Sequence, residues 1–341
     1  MRILVTGGAG YVGSVSVERL LAAGHDVVVL DDLSTGHRAA AHGVRLVEGS
    51  YADQRTVIAL LEDERIEAVL HCAARSLVPE SIVDPARYYR DNVAGGVALL
   101  EAVRTAGIRR FVFSSTAAVY GNPTTTPIPE DAPLAPINPY GETKRAFEAG
   151  LHWYGRAYGL RSVALRYFNV AGASDRNGEC HDPETHLIPN VLLAAETDRP
   201  VTVFGSDYPT PDGTAVRDYI HVLDLADAHL AALEATEPTD RRTGDADDAG
   251  DVTRGRAVTI NLGSAAGYSV QEVIAAAERV VGRPIPAAPG PRRAGDPPIL
   301  VAANARAREV LGWSPTRGSL DDMIRSAWAW RRAHPTCYEE S

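Results

Sequence analysis

Along its first half the chain alternates short apolar, β-branched runs with longer amphipathic stretches. Residues 2–6 (Arg-Ile-Leu-Val-Thr) read as a buried strand, followed by glycines and a helical run from Ser14 to Ala23. Gly24-His25-Asp26 interrupts, and Val27-Val28-Val29-Leu30 begins a second strand. The spacing then predicts a helix over 53–64, a strand at Ala68–His71, a helix over 84–106 and strands at Arg110–Ser114 and Ser162–Tyr167. Strands alternating with helices give βαβ units, right-handed crossovers and a parallel sheet covered on both faces. The expected fold class is therefore α/β.

After about residue 170 the texture changes, with segments rich in Pro, Asp and Gly such as Ser206 to Gly213. We expect a first domain over 1–170 plus about 216–235, because Tyr219–Leu233 again reads as strand then helix. A smaller mixed α/β unit takes 171–215 and 257–341. The polar stretch from Thr236 to Arg256 has almost no apolar content and reads as a mobile surface loop.

Composition narrows the function. The 341 residues carry 44 acidic and 34 basic side chains, a net charge of −10, which speaks against a nucleic-acid partner. No apolar run approaches the length of a membrane span, and the first residues lack a signal-peptide pattern. The three cysteines (Cys72, Cys180, Cys337) are odd in number and far apart, so neither a disulfide framework nor a metal site is expected. The expected location is the cytoplasm.

Gly7-Gly8-Ala9-Gly10-Tyr11-Val12-Gly13 directly follows a strand and opens a helix, fitting GxGxxG and GxxGxxG alike. Glycines let backbone approach a pyrophosphate, and the helix start supplies N–H donors. Asp31 and Asp32 end the next strand, 18 and 19 residues beyond Gly13, where a carboxylate accepts from ribose hydroxyls and repels a 2′-phosphate. The pattern predicts a Rossmann-type doubly wound sheet holding NAD rather than NADP. A purely structural tight turn is the plain alternative.

Among 34 basic residues only Lys144 is lysine. It stands four residues after Tyr140, so the two share a helix face. With 13 tyrosines in 341 positions, a randomly placed lysine lands there about 4% of the time, which argues against accident. A phenol alone is a poor base, but a nearby ammonium favours the phenolate. Lysine's compact head can bridge ribose hydroxyls where arginine's planar fork cannot. Ser114-Ser115-Thr116 adds hydroxyls at a strand's C-terminal end, where open α/β sheets bind ligands.

These motifs resemble the extended short-chain dehydrogenases/reductases. Tyr167-Phe-Asn-Val-Ala-Gly-Ala173, Asp207-Tyr-Pro-Thr-Pro-Asp-Gly213 and Val216-Arg-Asp-Tyr-Ile-His-Val222 resemble the UDP-glucose (UDP-galactose) 4-epimerase group within them, over nearly the whole chain. The resemblance implies Tyr140 as catalytic base, assisted by Lys144 and Thr116. For NAD it implies Gly7, Gly10, Tyr11, Val12, Gly13, Asp31, Asp32, Leu33, Ser34, Thr35, Gly36, Ser50, Tyr51, Cys72, Ala73, Ala74, Arg75, Ser76, Asn92 and Phe168, together with Thr116, Tyr140 and Lys144. For the UDP-sugar it implies Thr116, Tyr140, Asn169, His186, Leu187, Thr202, Phe204, Arg217, Arg293, Asp296 and Leu300. Three positions depart from the group's usual pattern: Ser50 for aspartate, Pro79 for glycine and His186 for asparagine. The resemblance also implies a homodimer built on the helices near 84–106 and 140–158.

The implied reaction is 4-epimerisation of a UDP-hexose through a transient 4-keto sugar, with no net redox. Another nucleotide sugar, such as UDP-N-acetylglucosamine, would suit the same machinery, because Leu300 stands where a tyrosine in some relatives limits space beside C2. A nucleotide-sugar dehydratase would need an acid and a base after the strand-end threonine, where this chain has Ala117 and Ala118. A non-catalytic NAD-sensing module would not need Tyr140 and Lys144 together.

Overall fold

The strand of residues 2–6 is flanked by parallel neighbours on both sides, which is why Ile3, Leu4 and Val5 are fully buried and no polar alternation appears. The computed structural model describes residues 1–238, 257–293 and 296–338. In chain order the first half runs β1 (Arg2–Thr6), α1 (Tyr11–Ala22), β2 (Asp26–Asp31), β3 (Arg45–Glu48), α2 (Gln54–Asp63), β4 (Ala68–His71) and α3 (Val78–Val83). Next come α4 (Pro85–Tyr88), a π-helical stretch (Tyr89–Gly95), α5 (Gly96–Thr105), β5 (Arg110–Thr116), α6 (Pro139–Tyr158), β6 (Arg161–Tyr167) and β7 (Asn169–Ala171). The rest comprises α7 (Leu187–Thr197), β8 (Val201–Phe204), β9 (Val216–His221), α8 (Val222–Ala235), β10 (Ala257–Leu262), β11 (Gly267–Ser269) and α9 (Val270–Val281). It ends with β12 (Ala287–Gly290), β13 (Ile299–Leu300), α10 (Ala305–Leu311) and α11 (Leu320–Ala333).

Seven parallel strands form the main sheet in the order β3-β2-β1-β4-β5-β6-β10. The order reverses between β1 and β4, which opens a crevice at their C-terminal ends. Helices α1 and α8 pack one face through Val17, Leu20, Leu225 and Leu233, while α2, α5 and α6 pack the other through Leu61, Leu99 and Phe147. A separate core under α7, α9 and α11 contains Val191, Leu192, Val273 and Met323. There β9 pairs with β7, β11 and β13, and β8 pairs with β12.

Several expectations need correcting. The boundary at 257 fails, because 257–262 is β10 and extends the main sheet beside β6. Conversely β9 does not return to that sheet, although α8 after it does pack there. Strand β3 went unread because, as the edge strand of the sheet, it carries charged residues at both ends and only a half-buried Leu46-Val47 between them, not an apolar run like that of β4. Of the loop expected over 236–256, Thr236 is buried and caps α8, Glu237 and Pro238 follow it, and 239–256 lie outside the described residues. Cys180 and Cys337 form a disulfide with Cα atoms 6.0 Å apart across 157 residues of sequence. Spacing hid this pair, because the chain after α11 folds back onto the segment before α7. The cysteines thus no longer speak for a reducing compartment. Among the described residues no helix is long and apolar enough to cross a membrane.

Candidate active site

At the C-terminal edge of the sheet lies a cleft of about 1080 Å³, walled on the far side by the second unit. The glycine turn forms one end. Gly7 has φ +72°, and a Cβ there would sit 2.5 Å from Ala73 N, while one on Gly13 would sit 2.0 Å from Gly7 O. A Cβ on Gly10 would meet nothing closer than 3.5 Å, so its side of the turn stays open to the cleft. Gly10 caps α1 with no side chain, leaving first-turn N–H groups for an anion. This cradle fits a dinucleotide pyrophosphate.

Asp31, nearly buried at the end of β2, accepts hydrogen bonds from Ala9 N and Leu33 N, both at 2.9 Å. Burial pushes its carboxyl up, and these two bonds pull it back. Asp32 is exposed and accepts from Ser34 N at 3.0 Å. The two carboxylates thereby shape the loop Leu33–Gly36 where a ribose would lie.

The reactive end is built on α6. Asn138 caps it by accepting from Gly141 N at 2.8 Å, and Pro139 supplies the first-turn φ. Tyr140 and Lys144 thus project into the cleft beside Thr116, the last residue of β5. Burial pushes the Tyr140 phenol up to about 12, opposed by a hydrogen bond with Thr116. Lys144 is 4% exposed, and burial pushes its ammonium down to about 8. Its Nζ donates to Ser114 O at 2.8 Å and lies 4.7 Å from the Phe113 ring centre and 5.9 Å from that of Tyr140. Cys72 beside it is half-buried, and desolvation raises its thiol to about 11, so it is no nucleophile.

From the second unit Arg293, Asp296 and Leu300 reach the cleft. Arg293 stacks on Phe204, with its guanidinium carbon 4.1 Å from the ring centre, and Arg217 is ion-paired with Asp296. Phe204 and Arg217 therefore stand behind the wall, and Leu187 and the exposed Thr202 also lie outside it. Leu33 and Asn92 do not line it either; Asn92 instead accepts from Arg75 N and donates to Arg75 O and Thr143 Oγ1. The remaining expected residues, from Gly7 through Phe168, Asn169 and His186, line one continuous surface.

Sequence reasoning missed Ile82, Ile137, Asn138 and Tyr167, which also line the cleft. It also missed Glu179 and His181, which meet Glu184 and His186 at the rim. The Glu-x-His-x-x-Glu-x-His spacing was the available signal, overlooked because metal chemistry was sought at the cysteines.

A family model described as "NAD dependent epimerase/dehydratase family" matches residues 3–243. A UDP-glucose 4-epimerase of Lacticaseibacillus casei is 49% identical over 339 residues, covering 98% of each chain. The chain belongs to this family, among its UDP-glucose 4-epimerases. The Brucella ovis UDP-glucose 4-epimerase, solved in complex with NAD, superposes with TM-score 0.89 at 44% identity, covering 96% of this chain and 98% of that one. The Bifidobacterium longum epimerase, solved with NAD+ and UDP, gives TM-score 0.89 at 34% identity, covering 99% and 100%.

The departures from the epimerase pattern take concrete form. Where the group has aspartate, the Ser50 hydroxyl accepts from Ala52 N at 3.2 Å and so stabilises its own turn. Pro79 sits in the first turn of α3, where its missing N–H costs nothing. His186 caps α7 and lies 2.7 Å from Glu179. Ala117 and Ala118 line the epimerase cleft next to Thr116 and offer no proton.

Proposed function

We propose that the protein interconverts UDP-glucose and UDP-galactose by 4-epimerisation, using resident NAD. The observation that carries this reading is the cluster of half-buried Tyr140 and Thr116 with buried Lys144 at the sheet's C-terminal edge, lining the same cleft as an open glycine cradle. NAD, when bound, supplies the redox chemistry by accepting and returning the C4 hydrogen with its electron pair. The protein does the rest. Tyr140 takes the proton of the 4-hydroxyl and returns it after the 4-keto sugar has turned over. Thr116 stands beside the phenol and favours its charged form, and Lys144 supplies positive charge near it. Arg293 and, once its pairing with Asp296 yields, Arg217 offer donor forks for the diphosphate. Asn169, His186, Leu187, Thr202 and Phe204 complete the nucleotide side of this reading. A tight grip on the diphosphate with few charges near the sugar suits a substrate that must turn. The absence of side-chain protons at 117 and 118 weighs against the dehydratase alternative.

Exposed apolar side chains on the helices support a homodimer. Val83 is 85% exposed, Trp153 62% and Ile82 60%, all on α3 and α6.

A coupled assay starting from UDP-galactose should yield UDP-glucose, and the denatured supernatant of purified protein should contain NAD. Tyr140→Phe should lower turnover by about two orders of magnitude or more. No product from UDP-galactose would refute the reading, as would NADP in place of NAD.

A further inference from the structure

We infer that Glu179, His181, Glu184 and His186 form a binding site for one divalent transition-metal ion, best suited to zinc, at the rim of the cleft. Each residue offers one ligand atom, and these atoms all lie within 4.8 Å of one another. Zinc bonds of about 2.0–2.2 Å give a coordination tetrahedron with edges of about 3.3–3.6 Å. His181 Nδ1 lies 3.3 Å from Glu179 Oε1 and 3.7 Å from Glu184 Oε2. One contact, His186 Nδ1 to Glu179 Oε1 at 2.7 Å, is of hydrogen-bond length and must open slightly.

A second observation points to a missing ligand. His181 Nδ1 is buried without a hydrogen bond, near both carboxylates yet aligned with neither. Buried ring nitrogens are rarely left so. Glu184 Oε1 already accepts from the backbone N–H groups of Thr185 and His186, each at 2.8 Å, which fixes that carboxylate and leaves Oε2 for a metal.

The scaffold is anchored independently of any ion. Cys180, between Glu179 and His181, is bonded to Cys337, and Asn190 Nδ2 donates to the carbonyls of Glu184 and His186. Two imidazoles and two carboxylates are a donor set of the hardness zinc takes, and four protein ligands make a closed, structural site rather than a catalytic one. The ion would lock the segment before α7 into the wall of the cleft.

The test uses full-length protein, stripped with a chelator, returned to chelator-free buffer and titrated with Co²⁺. We expect one Co²⁺ per chain after gel filtration, with the intense visible absorption of four-coordinate cobalt, displaced by one equivalent of Zn²⁺. His181→Ala and Glu179→Gln should lose both, whereas His152→Ala, on α6 outside the cluster, should keep them. Should either variant misfold by melting temperature, the milder Glu184→Gln decides, and it should bind at least tenfold more weakly. Failure of the wild type to retain stoichiometric cobalt, a weak six-coordinate spectrum, or undiminished retention in the variants would each overturn the proposal. The metal readout stands apart from turnover, so failure of the epimerase reading would not touch it.

Discussion

Lys144 Nζ donates a 2.8 Å hydrogen bond to the main-chain oxygen of Ser114, fastening the middle of the α6 first turns to the end of β5. The bond sets how far the ammonium stands above the sheet, and the side chain around it is buried. A longer, planar guanidinium cannot occupy that point.

Lys144→Arg should therefore lower kcat by about one to two orders of magnitude, as loss of a positioned charge does. It should also copurify with less NAD. Turnover and cofactor content of the purified variant check this. Normal values would show that the lone lysine is incidental.

Thr116 sets a pH dependence. The phenolate of Tyr140 is the form that accepts a proton, and the Thr116 hydrogen bond lowers a phenol that burial has raised. Removing the hydroxyl takes away a lowering influence, so the Tyr140 pKa rises. In Thr116→Val the acid limb of kcat/KM should move to higher pH, while Thr116→Ser keeps it near the wild-type position. A pH–rate profile of all three proteins measures it.

Arg166 and Glu148 form a buried ion pair with side chains only 3% and 6% exposed. Glu148 also accepts from Ser115 Oγ at 2.5 Å, and Arg166 donates to Tyr120 Oη at 2.9 Å. Arg166→Met leaves a carboxylate buried and unpaired and should cost about 3–5 kcal/mol by urea denaturation. Replacing both, in Arg166→Met with Glu148→Leu, should recover much of that loss.

Leu300 lines the cleft from β13, half-buried among Ala117, Tyr120, Phe168 and Ala302. It presents neither ring nor hydroxyl to the sugar end. The protein should therefore turn over UDP-N-acetylglucosamine measurably. Leu300→Tyr should shift the kcat/KM ratio toward UDP-glucose by a factor corresponding to about 1–3 kcal/mol. An unchanged ratio would remove Leu300 as the gate.

The inner strands of the main sheet were legible because they are buried on both faces and spell continuous apolar runs such as Val27–Leu30, whereas the half-buried edge strand β3 was not. The cofactor end was legible for a related reason: close backbone approach demands glycine, and that demand is written in residue type. The second unit was harder. Its strands β7, β11 and β13 are two or three residues long, too short for periodicity, and β10 lies far along the chain from its partner β6. Arg217 was identifiable by type, but its capture by Asp296, 79 residues on, is a tertiary fact. The Cys180–Cys337 bond was invisible for the same reason.

That bond makes a covalent ring of every residue from 180 to 337. The ring includes α7, α8, α9, α10, α11 and β10, so it threads both the substrate-side unit and the last strand of the main sheet. A single peptide cleavage anywhere inside it leaves both fragments joined. Such a nicked chain should run at full mass on a denaturing gel and separate only when thiol is added. Backbone integrity and molecular integrity are thus different properties over nearly half of this protein.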